Sequence, residues 1–234
     1  MFKATILTLF PAMFPASLGQ SLAGDALKKN IWSLETKDIR DHGIGKHRIV
    51  DDRPTGGGPG MVIRADVLAD AIDAVTTVND SRPRLVMSPR GTPFTQSYAQ
   101  QLSQGDGAVL ICGRFEGIDE RVIKARNLVP VSLGDFILSG GEVAAIAILD
   151  SIIRLLPNVM GHNQSGSEES FENGLLEYPH YTKPRKFEGL EIPEILLSGN
   201  HQKIAAWRKE QAEHMTQKMR PDLWGKYKAL DKAS

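Results

Sequence analysis

Apolar runs and polar, glycine-bearing segments alternate along the first two thirds of this chain. KATILTLF (3–10) is β-branched and apolar and is stopped by Pro11, which predicts a buried strand. A short helix over 25–29 and a strand over 31–39, carrying Ile31, Leu34, Thr36 and Ile39, follow. Residues 65–78 place Val67, Leu68, Ala71, Ile72 and Val75 on one helical face. RLVMS (84–88) reads as a strand ending in Pro89-Arg90-Gly91, and 95–104 as a polar helix. AVLIC (108–112) is a strand, 118–126 a helix, LVPVSL (128–133) a strand, and 142–156 an apolar helix stopped by Pro157. Strand, glycine-containing loop and helix in repetition predict an α/β fold with a mainly parallel sheet. In such sheets ligands bind beyond the carboxyl ends of the strands. Three loops leave strand ends in succession here: SPRG, CGRFEG and LGDFILSGG.

Two stretches break the alternation. Residues 41–61, DHGIGKHRIVDDRPTGGGPGM, are too long and too polar for a connecting turn. Residues 158–173 are rich in Gly, Ser and Glu and read as a linker. From 175 on, the chain reads as a smaller, mostly helical unit, with Ile204, Trp207, Arg208, Gln211 and Met215 at helical spacing.

Composition narrows the classes. Hydrophobic residues make up 41% and charged residues 24% of the 234 positions, enough apolar surface to offset chain entropy and exclude a mainly disordered chain. The 28 basic and 28 acidic residues cancel, but residues 201–234 hold 8 Lys and Arg against 4 Asp and Glu. A local basic excess suits a polyanion even when the whole chain is neutral. The single cysteine, Cys112, can form neither an internal disulfide nor a cysteine-cluster metal site. With no transmembrane span and a poor signal sequence, a reducing, cytoplasmic setting is expected.

TGGGPG (55–60) lacks the Lys-Ser/Thr of a phosphate-binding loop and the spacing of a dinucleotide fingerprint, so a mobile loop and a functional one stand level. One glycine loop after a strand means little; three favour a ligand pocket, because glycine lets backbone approach a ligand closely. Arg154 lies inside the most apolar helix, where an i, i+4 pair with Asp150 is the plain structural reading. A place at the helix end, facing an active site, is the alternative. Glu168 and Glu169 would read as solvated linker charges, and His180 as a packing or turn residue. No spacing resembles a zinc site, and no metal ligand set is expected.

IVDDRPTGGGPGM, LICGRFEGIDERV, SLGDFILSGGE and GLLEYPHYTKP, in that order, resemble the bacterial tRNA (guanine-N1)-methyltransferases of the TrmD type. The resemblance runs from ILTLFPAMF to LLSGNHQKIAAWR, nearly the whole chain. It implies a SPOUT fold: a parallel-sheet core with a deep trefoil knot, plus a small, mainly helical C-terminal domain. The implied boundaries are 1–160 for the cofactor-binding catalytic domain, 161–174 for a linker carrying a catalytic carboxylate, and 175–234 for a tRNA-binding domain.

The resemblance further implies S-adenosyl-L-methionine as methyl donor, held by the three loops. The implied contacts are Ser88, Pro89 and Gly91 in the first loop; Gly113, Arg114, Glu116, Gly117 and Ile118 in the second; and Ser132, Leu133, Gly134, Asp135, Phe136, Ile137, Leu138, Gly140 and Gly141 in the third. The implied reaction methylates N1 of guanosine 37 in tRNA where guanosine 36 precedes it, in a homodimer whose active site lies between one subunit's knot and the other's linker and C-terminal domain. A base must take the N1 proton and a cation must face O6. Glu169 stands at the base position, where better-known members carry Asp, with Glu168 as the neighbouring candidate. Arg154 stands at the assisting arginine position, and Ser165 and His180 at substrate-binding positions. Thr55 stands where some relatives carry Tyr. A magnesium requirement stays open.

Two other readings compete. A non-catalytic RNA-binding or ribosome-assembly module would have no reason to keep both Arg154 and Glu169. A SPOUT enzyme acting on another base or on a ribose 2′-OH would not need a base matched to guanine N1, and DDRP and YPHYTKP argue against it.

Overall fold

The computed structural model describes residues 1–160, 170, 171 and 174–231. The chain divides into two compact units, Met1–Gly161 and His162–Ser234.

In the first unit the elements run β1 (Phe2–Thr8), α1 (Ser21–Lys28), β2 (Trp32–Asp38), β3 (Asp51–Asp52), β4 (Val62–Ile63), α2 (Ala65–Val75), β5 (Arg84–Pro93), α3 (Gln96–Ser103), β6 (Gly107–Ile111), α4 (Glu120–Ala125), β7 (Val129–Ser132) and α5 (Glu142–Ile153). Five strands form one sheet in the order β2-β1-β6-β5-β7, with every pairing parallel. The small β3 and β4 pair antiparallel inside the polar 41–64 stretch.

Period-two alternation along the strands feeds two separate cores, one on each face of the sheet. Ile6, Leu85, Met87, Leu110 and Cys112 face α3 and α5, meeting Ala99, Ile148 and Ile152. Leu7, Val86, Val109 and Ile111 face α2 and α4, meeting Leu68, Ile72 and Val122. Most of the apolar 142–156 stretch is therefore a buried helix, α5, against the sheet; its Ile148, Leu149, Ile152 and Ile153 are fully buried.

Several boundaries differ from the sequence reading: β1 ends at Thr8 rather than Phe10, and α5 at Ile153 rather than Leu156. Helix α1 starts at Ser21, four residues earlier than expected, and α2 ends at Val75, where Thr76 takes extended backbone. Strand β5 does not end at Ser88. It continues to Pro93 through a register shift between Met87 and Thr92, because Thr92 and Pro93 regain partners Val131 and Ser132 on β7. The SPRG segment is thus an irregularity inside a long strand, held at both ends by β7.

The second unit holds the antiparallel pair β8 (Lys186–Phe187) and β9 (Leu190–Glu191), then α6 (His201–Met219) and α7 (Pro221–Asp231). Asn200 caps α6, its side-chain oxygen accepting from Lys203 N at 3.1 Å. Thr216 Oγ1 donates to Ala212 O and accepts from Leu176 N, both at 2.7 Å, fastening the 170s segment to α6. Among the described residues of this unit only Ala212 and Thr216 are buried.

Candidate active site

The carboxyl ends of β6 and β7 and the irregularity within β5 open into one cavity of about 330 Å³. Its floor is the last apolar turn of those strands, Val86, Met87 and Val131, with Ala144 from α5. Its walls are residues 88–90, 113–118 and 132–141, with Asp135 the one residue of the third loop outside the lining. Gly91 also stands apart from the lining. A Cβ there would come within 2.6 Å of Pro130 O, so this glycine lets β5 and β7 approach each other. The remaining cofactor candidates meet around the cavity.

Glycine does specific work at Gly141. A Cβ there would stand 2.8 Å from Cys112 Cα and 2.9 Å from Met87 Cβ, and the Gly141 amide donates to Gly113 O at 2.9 Å. The second and third loops are therefore laced together backbone to backbone. Gly134, with φ +148°, turns the third loop; its amide donates to Ser132 Oγ at 3.1 Å. That turn leaves Phe136 and Ile137 exposed at the cavity rim, 54% and 80%.

The Gly-rich 55–60 loop is tied to this site at its far end. Glu116 N donates to Met61 O at 2.9 Å, Ile63 N donates to Gly117 O at 2.9 Å, and Ile63 and Ile118 form a parallel bridge. At Gly60, φ +77°, a Cβ would reach within 2.8 Å of Glu116 Cδ. The polar stretch thus delivers its end against Glu116, a carboxylate of the cavity wall.

Arg114 is placed differently from its loop neighbours. Its guanidinium sits 4.4 Å over the Phe10 ring, donates to Ser139 O at 3.2 Å and comes within 2.9 Å of Glu142 Oε2. Glu142 is fully buried and accepts from Thr8 Oγ1 at 2.7 Å. Cys112, beneath the same loops, is fully buried; burial pushes its thiol well up, with the Glu142 charge adding to the rise. It stays protonated and is no nucleophile.

Of the remaining candidates, Arg154 is the C-cap of α5, its guanidinium 3.6 Å from Met160 Sδ and its amide 3.2 Å from Asp150 O. His180, in the second unit, has Nε2 2.9 Å from Glu177 Oε1, and its ring lies 5.0 Å from that of Tyr178. Glu169, Glu168 and Ser165 lie outside the described residues. Among the described residues, no group of three or more His, Cys, Asp or Glu side chains is placed to hold a metal ion.

Sequence reasoning missed eight lining residues, Val86, Met87, Arg90, Phe115, Ile123, Val131, Ser139 and Ala144, and Glu142, which lies outside the lining. Met87 carried a signal, being the inward position just before SPRG. Glu142 carried only its place at the end of SGGE.

Comparison with known proteins bears on what this cavity serves. A family model described as tRNA (Guanine-1)-methyltransferase TrmD matches residues 2–226. A relative from Mesorhizobium japonicum named tRNA (guanine-N(1)-)-methyltransferase is 63% identical over 224 residues, covering 96% of this chain and 97% of its own. Relatives of the same name from Chelativorans sp. and Rhodopseudomonas palustris are 63% and 61% identical over 223 residues; each alignment covers 95% of this chain, with 95% and 88% of their own. A glycine-laced cavity over three parallel strands, carried by a chain alike to these relatives over nearly its whole length, assigns the chain to the tRNA (guanine-1)-methyltransferase TrmD family.

Proposed function

We propose that this chain transfers a methyl group from S-adenosyl-L-methionine to N1 of guanosine 37 in tRNA, next to the anticodon, where guanosine 36 precedes it. The observation that carries the reading is the convergence of the three glycine-bearing loops on one cavity in a member of this family. The residues present suit such a cofactor. The cavity is within the size range of small-molecule sites, roughly 300–1,000 Å³. Its walls are mainly backbone and apolar side chains, and Gly134, Gly140 and Gly141 allow close approach.

When bound, the cofactor supplies an electrophilic methyl on a sulfonium sulfur. The chain's own residues do the rest. Guanine N1 carries a proton at neutral pH, and Glu169 takes it as N1 attacks; Glu168 is the neighbouring alternative. Arg154 offsets the charge that develops toward O6. Ser165 and His180 help to hold the substrate. The 1–160 region is read as a SPOUT fold with a deep trefoil knot; the parallel five-strand sheet supports the SPOUT part of that reading. Residues 161–174 serve as the linker carrying the base and 175–234 as the tRNA-binding domain, its basic excess over 201–234 suiting the phosphate backbone.

The enzyme is read as a cytoplasmic homodimer with shared active sites. Leu22 and Val143, 50% and 52% exposed on helices that pack on the same sheet face, support an apolar contact between copies. Among the described residues no helix is long and apolar enough to cross a membrane.

The test is methyl transfer from labelled cofactor to tRNA transcripts with guanosine or another base at position 37. Transfer should require guanosine 37, and label on a ribose 2′-OH would overturn the reading. Glu169→Gln should leave cofactor binding intact and cut transfer by about 10²–10⁴-fold, the usual worth of a general base. A full-rate Glu169→Gln beside an inactive Glu168→Gln would move the role one residue.

A further inference from the structure

Arg114 of the cavity lining is joined to a buried pair, Thr8 and Glu142, that the methyl-transfer reading does not use. Glu142 is the first residue of α5, where the helix dipole favours a carboxylate. It is fully buried, hydrogen-bonded to Thr8 at the carboxyl end of β1. Thr8 Oγ1 is itself held by the Phe10 amide at 3.0 Å. The third member, Arg114, is part of the wall: a Cβ on Gly140 would meet Arg114 Cζ and Cδ at 2.6 Å. The guanidinium is therefore packed on Gly140, and both residues line the cavity.

The pair is close but imperfect. Arg114 Nη2 is 2.9 Å from Glu142 Oε2, yet no N–H points along that line, and Arg114 Nε and Glu142 Oε2 are buried without hydrogen-bond partners. The interaction is therefore mainly charge on charge. As a stabilising device it is poor, because buried ion pairs barely recover their desolvation cost and apolar residues often do as well. As a field device it is effective. The charged side chains in the lining are Arg90, Arg114 and Glu116. Arg90 is 70% exposed and screened by water beside Glu120, while the Arg114 side chain is 18% exposed. Unpaired, the Arg114 cation would face the cavity at low dielectric.

We propose that Glu142 is a specificity-determining positioning residue. By neutralising Arg114 beside Gly140, it makes the cavity accept a sulfonium cation in preference to the neutral thioether left after methyl transfer. The proposal rests on the cofactor reading above. It assigns the relay a role in discriminating donor from spent product, which lets product leave.

Calorimetry with S-adenosyl-L-methionine and S-adenosylhomocysteine tests it on the full-length protein. Glu142→Gln keeps the shape and Thr8's partner but exposes the Arg114 charge. It should shift the affinity ratio toward the thioether by about tenfold, the scale of one partly screened unit charge. The double variant Glu142→Gln/Arg114→Gln removes both charges and should bring the ratio back to within about twofold of wild type. Arg114→Gln alone removes the cation, so its ratio must not move toward the thioether. That arm decides the matter should Glu142→Gln fail to fold. Equal weakening of both ligands in Glu142→Gln, or a thioether shift in Arg114→Gln, overturns the proposal and leaves the cofactor reading standing. A wild-type protein that binds neither ligand overturns both.

Discussion

The two ends of the central sheet each hold a buried arginine–carboxylate pair, and the pairs are built to opposite plans. At the amino ends, Asp80 and Arg82 are 10% and 13% exposed and bind through two contacts, Nη2 to Oδ2 at 2.7 Å and Nε to Oδ1 at 3.0 Å. Arg82 spends its remaining donors on Thr5 Oγ1 at 2.8 Å and Val75 O at 3.4 Å. This pair pins the α2–β5 connection to β1. The Arg82 hydrogen bond holds the Asp80 carboxyl below its usual range. At the carboxyl ends, Arg114 and Glu142 touch without alignment and leave two polar atoms unpartnered. A fork-on-fork pair satisfies every group and serves stability. A misaligned pair forgoes that satisfaction, which fits a place where a ligand, rather than the fold, sets the demand.

The contrast can be broken most sharply at the amino end. Arg82→Met leaves the nearly buried Asp80 without its partner. It should cost about 3 kcal/mol of stability while leaving cofactor affinity within about twofold. Denaturant melts paired with calorimetry separate the two readouts, and an equal loss in both would erase the distinction between the ends.

Next in size is Gly141→Val at the carboxyl end. The added side chain meets Cys112 Cα and Met87 Cβ inside van der Waals distance. Overpacking of this kind costs about 1–3 kcal/mol of stability unless the loops separate, and loops forced apart lose the cavity's shape, so cofactor affinity should drop as well. Wild-type affinity in a folded variant would remove the three-loop cavity from consideration as the cofactor site.

The smallest effect is a pH signature. Because the Asp80 carboxyl is depressed in the fold, its stabilising contribution is fully present above the unfolded value of about 4 and fades as pH falls through the lower folded value. Asp80→Asn should lose about 1 kcal/mol at pH 7 and show a flatter stability profile below pH 4 than wild type. Parallel acid profiles for the two proteins would mean the pair contributes nothing through charge.

Much of the first unit could be read from the chain. The β-branched KATILTLF run, the helical face from Val67 to Val75 and the three glycine loops all report local chemistry that tertiary structure did not override. The loops were legible as a site because each follows an apolar strand of a parallel sheet, and such strands end on one side. The path of β5 was not legible. SPRG carries turn residues, and only the register that β7 imposes keeps those residues within a strand. The docking of Gly60 against Glu116 was hidden as well, since it depends on Ile63 bridging to Ile118, 55 residues on. The second unit gave its long helix through spacing, but the Thr216 link to Leu176 joins residues 40 apart that nothing local connects.

The sequence by itself determined the alternation of strand and helix, the parallel sheet it implies, the glycine loops and, through resemblance, the chemistry to expect of them. These follow from side-chain periodicity and backbone freedom, which act over a few residues. Only the tertiary structure decided that Thr8, Arg114 and Glu142 form one relay, with Thr8 and Glu142 separated by 134 residues. A buried charge is set by what surrounds it in space, and no spacing along the chain encodes the contact between the end of β1 and the start of α5.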